Sequence, residues 1–401
     1  MNKRTIKFII IFLAFVTIAL VMPSSIVMHF SGNTDKLFAT DNPNTSISKP
    51  EPTSDPTSEP TPDPTPEPTP DPTPEPTPEP TPEPTPEPTP IPTPDPIVTI
   101  TISAAGDVTL GGCPVSNSYR NFIREFEESG SCFTYFFRNV KHIFVEDDLT
   151  IVNLEGTLTN ETRHRGKTYN FRAPPEFAQA LSSSGIDAVS LANNHSGDFF
   201  DIGYQDTKDS LDAEGVIYFG NKTNTIIEVN GINVGLFGFL TWVDSRENRN
   251  SITAAINDLK ERGAQLIIAY FHWGLETHYR INSAQRTLGR FTIDSGADLV
   301  LGTHPHVIQG IEIYKGKNIV YSLANFSFGG NRRPFDMDSF IFRQTFTFDN
   351  GILQDTNETE IIPVHVTSAQ SYNNYQPTPV DGKDADRILD LIRKLSDELN
   401  Q

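Results

Sequence analysis

The sequence is poor in cysteine and has no excess of positive charge. Two of its 401 residues are cysteines, which excludes a disulfide-rich scaffold and a cysteine-based zinc module. Lys and Arg number 31 against 51 Asp and Glu, so the formal net charge is −20 at pH 7. A chain this acidic does not bind nucleic acid by neutralising phosphates, and anionic polymers repel it unless cations mediate the contact. We therefore expect no nucleic-acid partner.

An apolar segment follows basic residues near the N-terminus. Lysine and arginine between positions 3 and 7 precede an apolar run from Phe8 to Met22, and the sequence stays mostly apolar to Phe30. The uninterrupted run suits a signal peptide, but no small-x-small cleavage site follows it, and residues 8–30 are long enough to span a bilayer. Residues 1–30 therefore favour a cytoplasmic stub and a membrane anchor over a cleaved signal peptide, with the rest of the chain outside the cell.

Residues 31–96 predict a disordered spacer. Of the 32 prolines, 22 lie between Pro50 and Pro96, in Pro-Thr-Glu/Asp-Pro repeats that carry 11 acidic residues and no basic one. This composition cannot form a core, and alternating prolines favour an extended polyproline II chain of about 3.1 Å per residue. The spacer would hold the following domain away from the membrane.

Residues 97–401 alternate β-rich apolar runs with segments of helical periodicity. Strands are predicted at 97–105, 149–153, 188–191, 232–240, 266–271, 299–302 and 318–323, and helices at 175–183, 204–214, 252–262, 284–294 and 385–399. The alternation predicts an α/β fold. Two later strands, 341–348 and 361–366, look antiparallel, so we expect mixed sheets.

Polar side chains suited to metal binding follow strand after strand. They are Asp107, Asn153 and Glu155, Asn193 to His195, His272 and Glu276, and His304 and His306. One histidine at a strand end is more often simply hydrogen-bonded, but five such ends in one α/β domain predict a shared site, because ligands bind beyond the carboxyl ends of strands. Carboxylate, imidazole and amide ligands without thiolate suit Mn²⁺, Fe or Zn²⁺ in a two-ion hydrolytic site.

Two further sets of residues carry weaker predictions. Arg172, Arg332 or Arg333 would supply local positive charge for an anionic substrate. Cys113 and Cys132 lie 19 residues apart and outside the membrane on this topology, which favours a disulfide over metal binding. A reducing surface would instead leave two free thiols.

The chain from about residue 97 to 347 resembles the CapA-type poly-γ-glutamate capsule biosynthesis family, a branch of the calcineurin-like metallophosphoesterase superfamily. The matching segments, in family order, are AAGDVTLGG (104–112), DDLTIVNLEGTLT (147–159), FRAPPEF (171–177), VSLANNHSGDF (189–199), FHWGLE (271–276), ADLVLGTHPHVIQGIEIY (297–314) and IVYSLANFSFGGN (319–331). A set of this length is far more specific than any single motif.

The resemblance implies a four-layer α/β/β/α sandwich and a set of site residues. Metal binding carries over to Asp107, Glu155, Asn194, His272, His304 and His306, with Glu155 as the bridging carboxylate. His195 matches the histidine that protonates the leaving group or stabilises the transition state, and Asn153 and Glu276 would orient the metal ligands. The sequence departs from ordinary metallophosphoesterases because Val108 and Thr109 follow Asp107 in place of Asp-x-His, and Thr303 and Ala324 are smaller departures.

The resulting hypothesis is a membrane-anchored, extracytoplasmic, metal-dependent protein of capsule or poly-γ-glutamate metabolism. It would hydrolyse or transfer at an amide or phosphoester centre, with His195 as the acid. The alternative is a non-catalytic partner of a membrane-bound polymer synthase that uses the same metal site to bind anionic polymer during export.

Overall fold

The computed structural model describes residues 97–400, so the predictions for the anchor at 1–30 and the spacer at 31–96 lie outside the described residues. The strands, in chain order, are β1 (Val98–Thr109), β2 (Leu149–Leu154), β3 (Thr157–Leu158), β4 (Arg172–Ala173), β5 (Ala188–Ser190), β6 (Ile217–Phe219), β7 (Thr225–Val229), β8 (Ile232–Leu240), β9 (Leu266–His272), β10 (Leu299–Thr303), β11 (Ile311–Tyr314), β12 (Lys317–Val320), β13 (Asn325–Phe328), β14 (Asp338–Asp349), β15 (Ile352–Leu353), β16 (Glu358–His365) and β17 (Thr378–Pro379).

Helices fill most of the gaps between these strands. They are α1 (Asn117–Glu128), α2 (Lys141–Phe144), α3 (Ala178–Ser182), α4 (Phe200–Glu214), α5 (Arg246–Glu261), α6 (Ser283–Ser295) and α7 (Gly382–Asp397), with 3₁₀ turns at Phe133–Phe137 and Pro175–Phe177. Local capping explains several boundaries. Asn282 and Gln285 form a reciprocal capping box at the start of α6, and Gly296 ends that helix with φ 112°.

The strands form two large mixed sheets and one short pair. Sheet 1 has the order β17-β16-β14-β1-β2-β5-β6, with β13 also paired to β1 and β15 to β14. Sheet 2 has the order β11-β12-β10-β9-β8-β7, and β3 pairs with β4. The strands β1, β2, β5 and β6 run parallel, as do β8, β9, β10 and β12. The carboxyl ends of these parallel strands provide the edges where ligands are expected.

Alternating side chains place the two sheets between two layers of helices. Ile151 of β2 and Ile268 of β9 join one apolar cluster between the sheets. The next residue along β2, Val152, instead packs with residues of α1 to α4, and Ala269 of β9 packs with residues of α5 and α6. Because successive strand residues point to opposite faces, each sheet is buried on both sides. This is a four-layer α/β/β/α sandwich with mixed sheets, and the expected fold class is confirmed.

The first strand is longer than the sequence pattern indicates. Asp107 was expected just beyond its end, yet β1 continues to Thr109. The register of β1 against β2 shifts between Ala104 and Asp107, and from Asp107 onward β1 pairs with β13. Asp107 is buried while the strand continues, so the predicted end of this strand at residue 105 is corrected by four residues. Within residues 97–400, no helix combines the length and the apolar character that a membrane crossing needs.

The predicted disulfide between Cys113 and Cys132 is wrong for this structure, in which both are free thiols. The Cys113 carbonyl accepts a hydrogen bond from Ser116 at the start of α1, whereas the Cys132 N–H donates to Ser129 beyond its end. A helix of 12 residues separates these points by about 18 Å. Disulfides need Cα atoms within about 7 Å, so the helix keeps the two cysteines apart.

Candidate metal centre

Side chains from both sheets meet beyond the carboxyl ends of the parallel strands. Sheet 1 contributes Asp107 near the end of β1, Glu155 directly after β2 and Asn194 beyond β5. Sheet 2 contributes His272 as the last residue of β9, followed by His304 and His306 just after β10. These are the six ligands that the resemblance implies, and the structure brings them together. Their role as metal ligands stays a prediction.

Glu155 lies at the centre of this cluster and is fully buried. Its Oε2 accepts one hydrogen bond from Thr109 Oγ1 at 3.2 Å, whereas its Oε1 has no hydrogen-bond partner among residues 97–400. Three imidazole nitrogens surround Oε1: Nε2 of His195 at 3.9 Å, of His272 at 3.8 Å and of His306 at 3.9 Å. Burial raises the pKa of Glu155 above its usual range.

Asp107 is the second fully buried carboxylate of the cluster, and its oxygens are hydrogen-bonded. Asn153 donates to Oδ1 at 2.8 Å, and the backbone N–H of His304 donates to Oδ2 at 3.3 Å. The Nδ1 of His306 lies 3.2 Å from Oδ2. Burial raises the pKa of Asp107, but the hydrogen bond with His306, the charge of His306 and the hydrogen bond from Asn153 outweigh burial and lower it. Asp107 is therefore a permanent anion of the site.

Two imidazoles are held in the neutral form that binds metals. His272 Nε2 lies 2.7 Å from Asn194 Oδ1 and 3.1 Å from His304 Nδ1. Burial lowers the pKa of His272 well below its usual value and lowers that of His304 to about 3, with a further contribution from His306. Burial also lowers the pKa of His306, but Glu155 and Asp107 outweigh it and raise that pKa to about 10.

The loop after β10 adopts left-handed backbone to deliver its two histidines. His304 has φ 97° and His306 has φ 57°, conformations that cost free energy for residues other than glycine. Ala324 also has φ 61°, at a position where glycine is the expected residue. Its carbonyl lies so close to Gly106 that a Cβ there would fall 1.9 Å away. The glycine before Asp107 therefore lets β1 pass against the segment that precedes β13.

His195, the predicted catalytic acid, is fixed on both sides of its ring. Its Nδ1 lies 2.7 Å from Asp198 Oδ2, and its Nε2 faces Glu155. The His195 N–H donates to Asn193 Oδ1 at 3.0 Å, and the Asn193 amide donates to Asn153 Oδ1 at 3.1 Å. Asn153 thus connects the Asp107 carboxylate to the loop that carries His195, which is consistent with the expectation that Asn153 orients the metal ligands.

Aromatic rings cover three of the imidazoles. Phe171 lies 4.3 Å from the His195 ring and Trp242 lies 4.5 Å from the His304 ring, measured between centroids. Phe328 lies 5.5 Å from His306. Phe171 and Phe328 are buried, whereas Trp242 keeps 46% of its surface exposed. Of these three rings, the one over His304 is therefore the most exposed.

Glu276 was expected to orient the metal ligands, but its position would allow it to be a metal ligand itself. Its carboxylate, His304 and His306 form one group with ligand atoms within 4.8 Å of one another, and Asp107, Glu155 and His306 form a second such group. His306 belongs to both. The residues that the structure describes thus contain a cluster of acidic and histidine side chains that could hold a metal ion. Two adjacent groups suit the predicted pair of ions.

The arginines predicted to bind substrate make contacts within the protein. Arg172 donates to the carbonyls of Thr159 and Glu161, and Arg332 donates to Glu125 at 3.2 Å. Arg333 is exposed. Their role in substrate binding stays a prediction.

Sequence patterns missed several residues that contact the cluster. They are Thr109 on Glu155, Thr303 at 3.2 Å from His272 Nδ1, Asn325 at 2.9 Å from His306 Nδ1, Asp198 on His195, and Trp242 on His304. Asp198 lies three residues after His195, a spacing that could have suggested the contact. Trp242 lies in the loop after β8 and has no such local signal.

The donor set fits a divalent cation. Ligand atoms bound to one ion at about 2.1 Å lie roughly 3.4 Å apart in a tetrahedral arrangement. The 3.8 to 3.9 Å spacings about Glu155 Oε1 are close to this value. A buried carboxylate oxygen without a hydrogen-bond partner is costly, and a cation would satisfy it.

Comparison with known proteins identifies the relatives of this chain. The model of the family described as "Bacterial capsule synthesis protein PGA_cap" matches residues 101–330, more than half of the chain. The PGA biosynthesis protein CapA of Bacillus subtilis strain 168 is 27% identical over 331 residues, covering 75% of this chain and 79% of that protein. The capsule biosynthesis protein CapA of Bacillus anthracis is 26% identical, covering 57% of this chain and 60% of that protein. A probable polyglutamine synthesis accessory protein of Mycobacterium tuberculosis is 25% identical over 208 residues, covering 44% of this chain and 55% of that protein.

Proposed function

Because the chain belongs to the bacterial capsule synthesis protein PGA_cap family, we propose that it is a metal-dependent enzyme of poly-γ-glutamate capsule biosynthesis or processing. Its relatives are CapA proteins of capsule biosynthesis, which suggests a role at the cell surface. The proposal adds an N-terminal membrane anchor, an extracytoplasmic site and a reaction. That reaction is hydrolysis or transfer at an amide or phosphoester centre.

The observation that carries the proposal is the environment of Glu155 Oε1. Within the part of the chain that the structure describes, this buried oxygen has no hydrogen-bond donor, and imidazole nitrogens of His195, His272 and His306 surround it. Protein interiors rarely leave such an atom unsatisfied unless it has a functional partner.

Asp107, Glu155, Asn194, His272, His304, His306 and Glu276 would hold the metal. A divalent cation there would act as a Lewis acid toward a carbonyl or phosphoryl oxygen and increase the acidity of water. Asp107 and Glu155 supply the negative charge that a cation requires, and Asn153 fixes the Asp107 carboxylate. Thr109 holds Oε2 of Glu155, so that Oε1 faces the imidazoles.

His195 would donate the proton that the leaving group needs. Asp198 accepts from its Nδ1, which leaves Nε2 on the side of the cluster. Phe171 covers the ring and shields the imidazole from bulk water. Such a positioned acid contributes about 100-fold or more to a rate.

The test measures metal content and turnover of the full-length chain. The chain is loaded with Mn²⁺ or Zn²⁺ and incubated with poly-γ-glutamate, followed by chain length, and with bis(para-nitrophenyl) phosphate as a phosphodiester probe. We expect turnover of one of these, a loss of about 100-fold in kcat for His195→Ala with metal content retained, and reduced metal content for Glu155→Gln. His142→Ala, an exposed histidine on α2, is the matched control and should behave as wild type.

Two results would contradict the proposal. A chain that stays substoichiometric in metal after loading would remove the proposed chemistry altogether. A metal-loaded chain that binds poly-γ-glutamate but turns over neither probe, with His195→Ala supporting normal capsule production, would favour the non-catalytic export partner.

A further inference from the structure

The loop between β3 and β4, residues 159–171 and named here the strap, lies against the loop that carries His195. The backbone N–H of Arg165 donates to the Asp198 carbonyl at 2.8 Å, and Arg165 Nε donates to the Gly197 carbonyl at 2.7 Å. The N–H of Phe171 donates to Asp198 Oδ2 at 2.8 Å. Three bonds therefore fix the strap to residues 197–198.

Lys167 is a cation of the strap that contacts both ends of the loop carrying His195. Its Nζ donates to Asp198 Oδ1 at 2.7 Å and to the Asn194 carbonyl at 2.5 Å. The Asp198 side chain is fully buried, while that of Lys167 is 39% exposed. One ammonium group thus binds both ends of the segment from Asn194 to Asp198.

This segment contains the predicted catalytic acid and a predicted metal ligand. Asp198 Oδ2 lies 2.7 Å from His195 Nδ1. Because an ionised carboxylate only accepts hydrogen bonds, His195 must carry its proton on Nδ1 when neutral, which fixes the tautomer. Asn194 Oδ1 contacts His272 Nε2 at 2.7 Å, so a shift of the Asn194 backbone would move a ligand as well.

We propose that Lys167 is a positioning residue that fixes both the tautomer of His195, through Asp198, and the position of Asn194, through its carbonyl. Without the ammonium group, Asp198 Oδ1 and the Asn194 carbonyl both lose their donor. Asp198 is then held mainly by the Phe171 N–H on Oδ2, so its carboxylate is less firmly fixed beside Nδ1 and His195 can populate the other tautomer. The expected loss of kcat rests on the proposed function, whereas the expected change in the tautomer of His195 does not.

The experiment compares Lys167→Met and Lys167→Arg with wild type in the full-length, Zn²⁺-loaded chain. The imidazole nitrogen NMR spectrum of His195, assigned with His195→Ala, reports the tautomer, and bis(para-nitrophenyl) phosphate reports kcat and KM. Lys167→Met should convert one Nδ1–H tautomer into a mixture and lower kcat about 10-fold to 100-fold, with KM changed less than about twofold. Lys167→Arg should keep most of the Nδ1–H tautomer and most of the wild-type kcat, because arginine is also a cationic hydrogen-bond donor.

Lys383→Met makes the same substitution at an exposed lysine of α7 and should match wild type in both measurements. An unchanged His195 spectrum in folded Lys167→Met would overturn the inference. If wild type turns over no probe, the proposed function fails, and the spectrum of Lys167→Met alone then supports or overturns the positioning role.

Discussion

Two buried glutamates in this domain have opposite surroundings. Glu312 of β11 is as inaccessible as Glu155, but its oxygens accept from Arg290 Nε at 2.9 Å and from Tyr321 Oη at 2.6 Å, with Arg286 at 3.5 Å. Burial raises the pKa of Glu312, but the bonds from Arg290 and Tyr321 outweigh it and lower that pKa. Among the described residues, Glu155 accepts one hydrogen bond, from Thr109, and burial raises its pKa.

The fold itself supplies the hydrogen bonds that the Glu312 carboxylate needs. The described residues leave one oxygen of Glu155 without a hydrogen bond, available to a bound partner. Around Glu312 the chain provides arginines, which stay charged and match carboxylate geometry. Around Glu155 it provides imidazoles, which can be neutral and offer lone pairs to a metal. Burial alone therefore does not mark a functional acid, and the identity of the neighbours does.

The largest expected effect is on metal binding. Its absence would contradict the proposed difference between Glu155 and Glu312. Glu155→Gln should weaken Zn²⁺ binding by more than about 100-fold, because it removes a central anionic ligand. Glu312→Gln, which makes the same chemical change, should leave the affinity within about twofold. Calorimetric titration of the folded variants measures both, and equal affinities would show that Glu155 is not a ligand.

The second prediction concerns stability in the absence of metal. Arg290→Met leaves Glu312 buried with one arginine fewer and should lower the free energy of unfolding by about 2 kcal/mol. This is below the usual 3 to 5 for a broken buried pair, because Arg290 is partly exposed and Arg286 remains. Glu155→Gln should change it by less than about 1 kcal/mol or increase it. Urea unfolding provides the values, and a large loss for Glu155→Gln would mean that Glu155 stabilises the fold.

The third prediction concerns how the stability cost of Arg290→Met depends on pH. The folded pKa of Glu312 is lowered, so its contribution to stability is present above its unfolded pKa and is lost as pH falls through the lower folded value. The cost of Arg290→Met should therefore shrink from about 2 kcal/mol at neutral pH to under about 1 kcal/mol at an acidic pH below the lowered folded pKa of Glu312. Urea unfolding at both pH values checks this, and a pH-independent cost would show that Arg290 acts through packing.

The smallest expected effect concerns the exposed side of the Glu155 cluster. Tyr321 closes the Glu312 site and is fully buried, whereas Trp242 remains half exposed over His304. Trp242→Ala should speed chelator-induced release of Zn²⁺ several-fold while changing the free energy of unfolding by less than about 1 kcal/mol. Stopped-flow release with a chromogenic chelator measures the rate. An unchanged rate would indicate that the ring does not cover the ion.

Much of this arrangement follows from the sequence, because strand ends are local features. The runs before Glu155, His272 and His304 were each long enough to predict a strand and its end. Parallel pairing then brings the ends of β9 and β10 to one edge of sheet 2, whereas β2 ends at an edge of sheet 1. The prediction for Asp107 was less accurate, because the irregularity in β1 depends on pairing with β13, more than 200 residues away.

Contacts that depend on loop conformation could not be predicted. Lys167 reaches Asp198 because the strap folds back across the histidine loop, and no periodic pattern encodes that path. Glu276 approaches His306 because of the turn after β9. Cys113 and Cys132 looked close in sequence, yet the helix between them was not anticipated. Local patterns predict elements, whereas their irregular connections depend on tertiary packing.

The antiparallel pairing of β1 with β14 affects where the folded unit ends. The family match stops at residue 330, but Val98 to Ala104 pair along their whole length with Phe342 to Phe348. A chain cut after residue 330 would leave this central strand with an open edge of backbone donors and acceptors, a template for aggregation. The strand that delivers Asp107 thus requires a downstream segment that contributes no ligand, so the segment with recognisable family sequence is shorter than the segment needed for solubility.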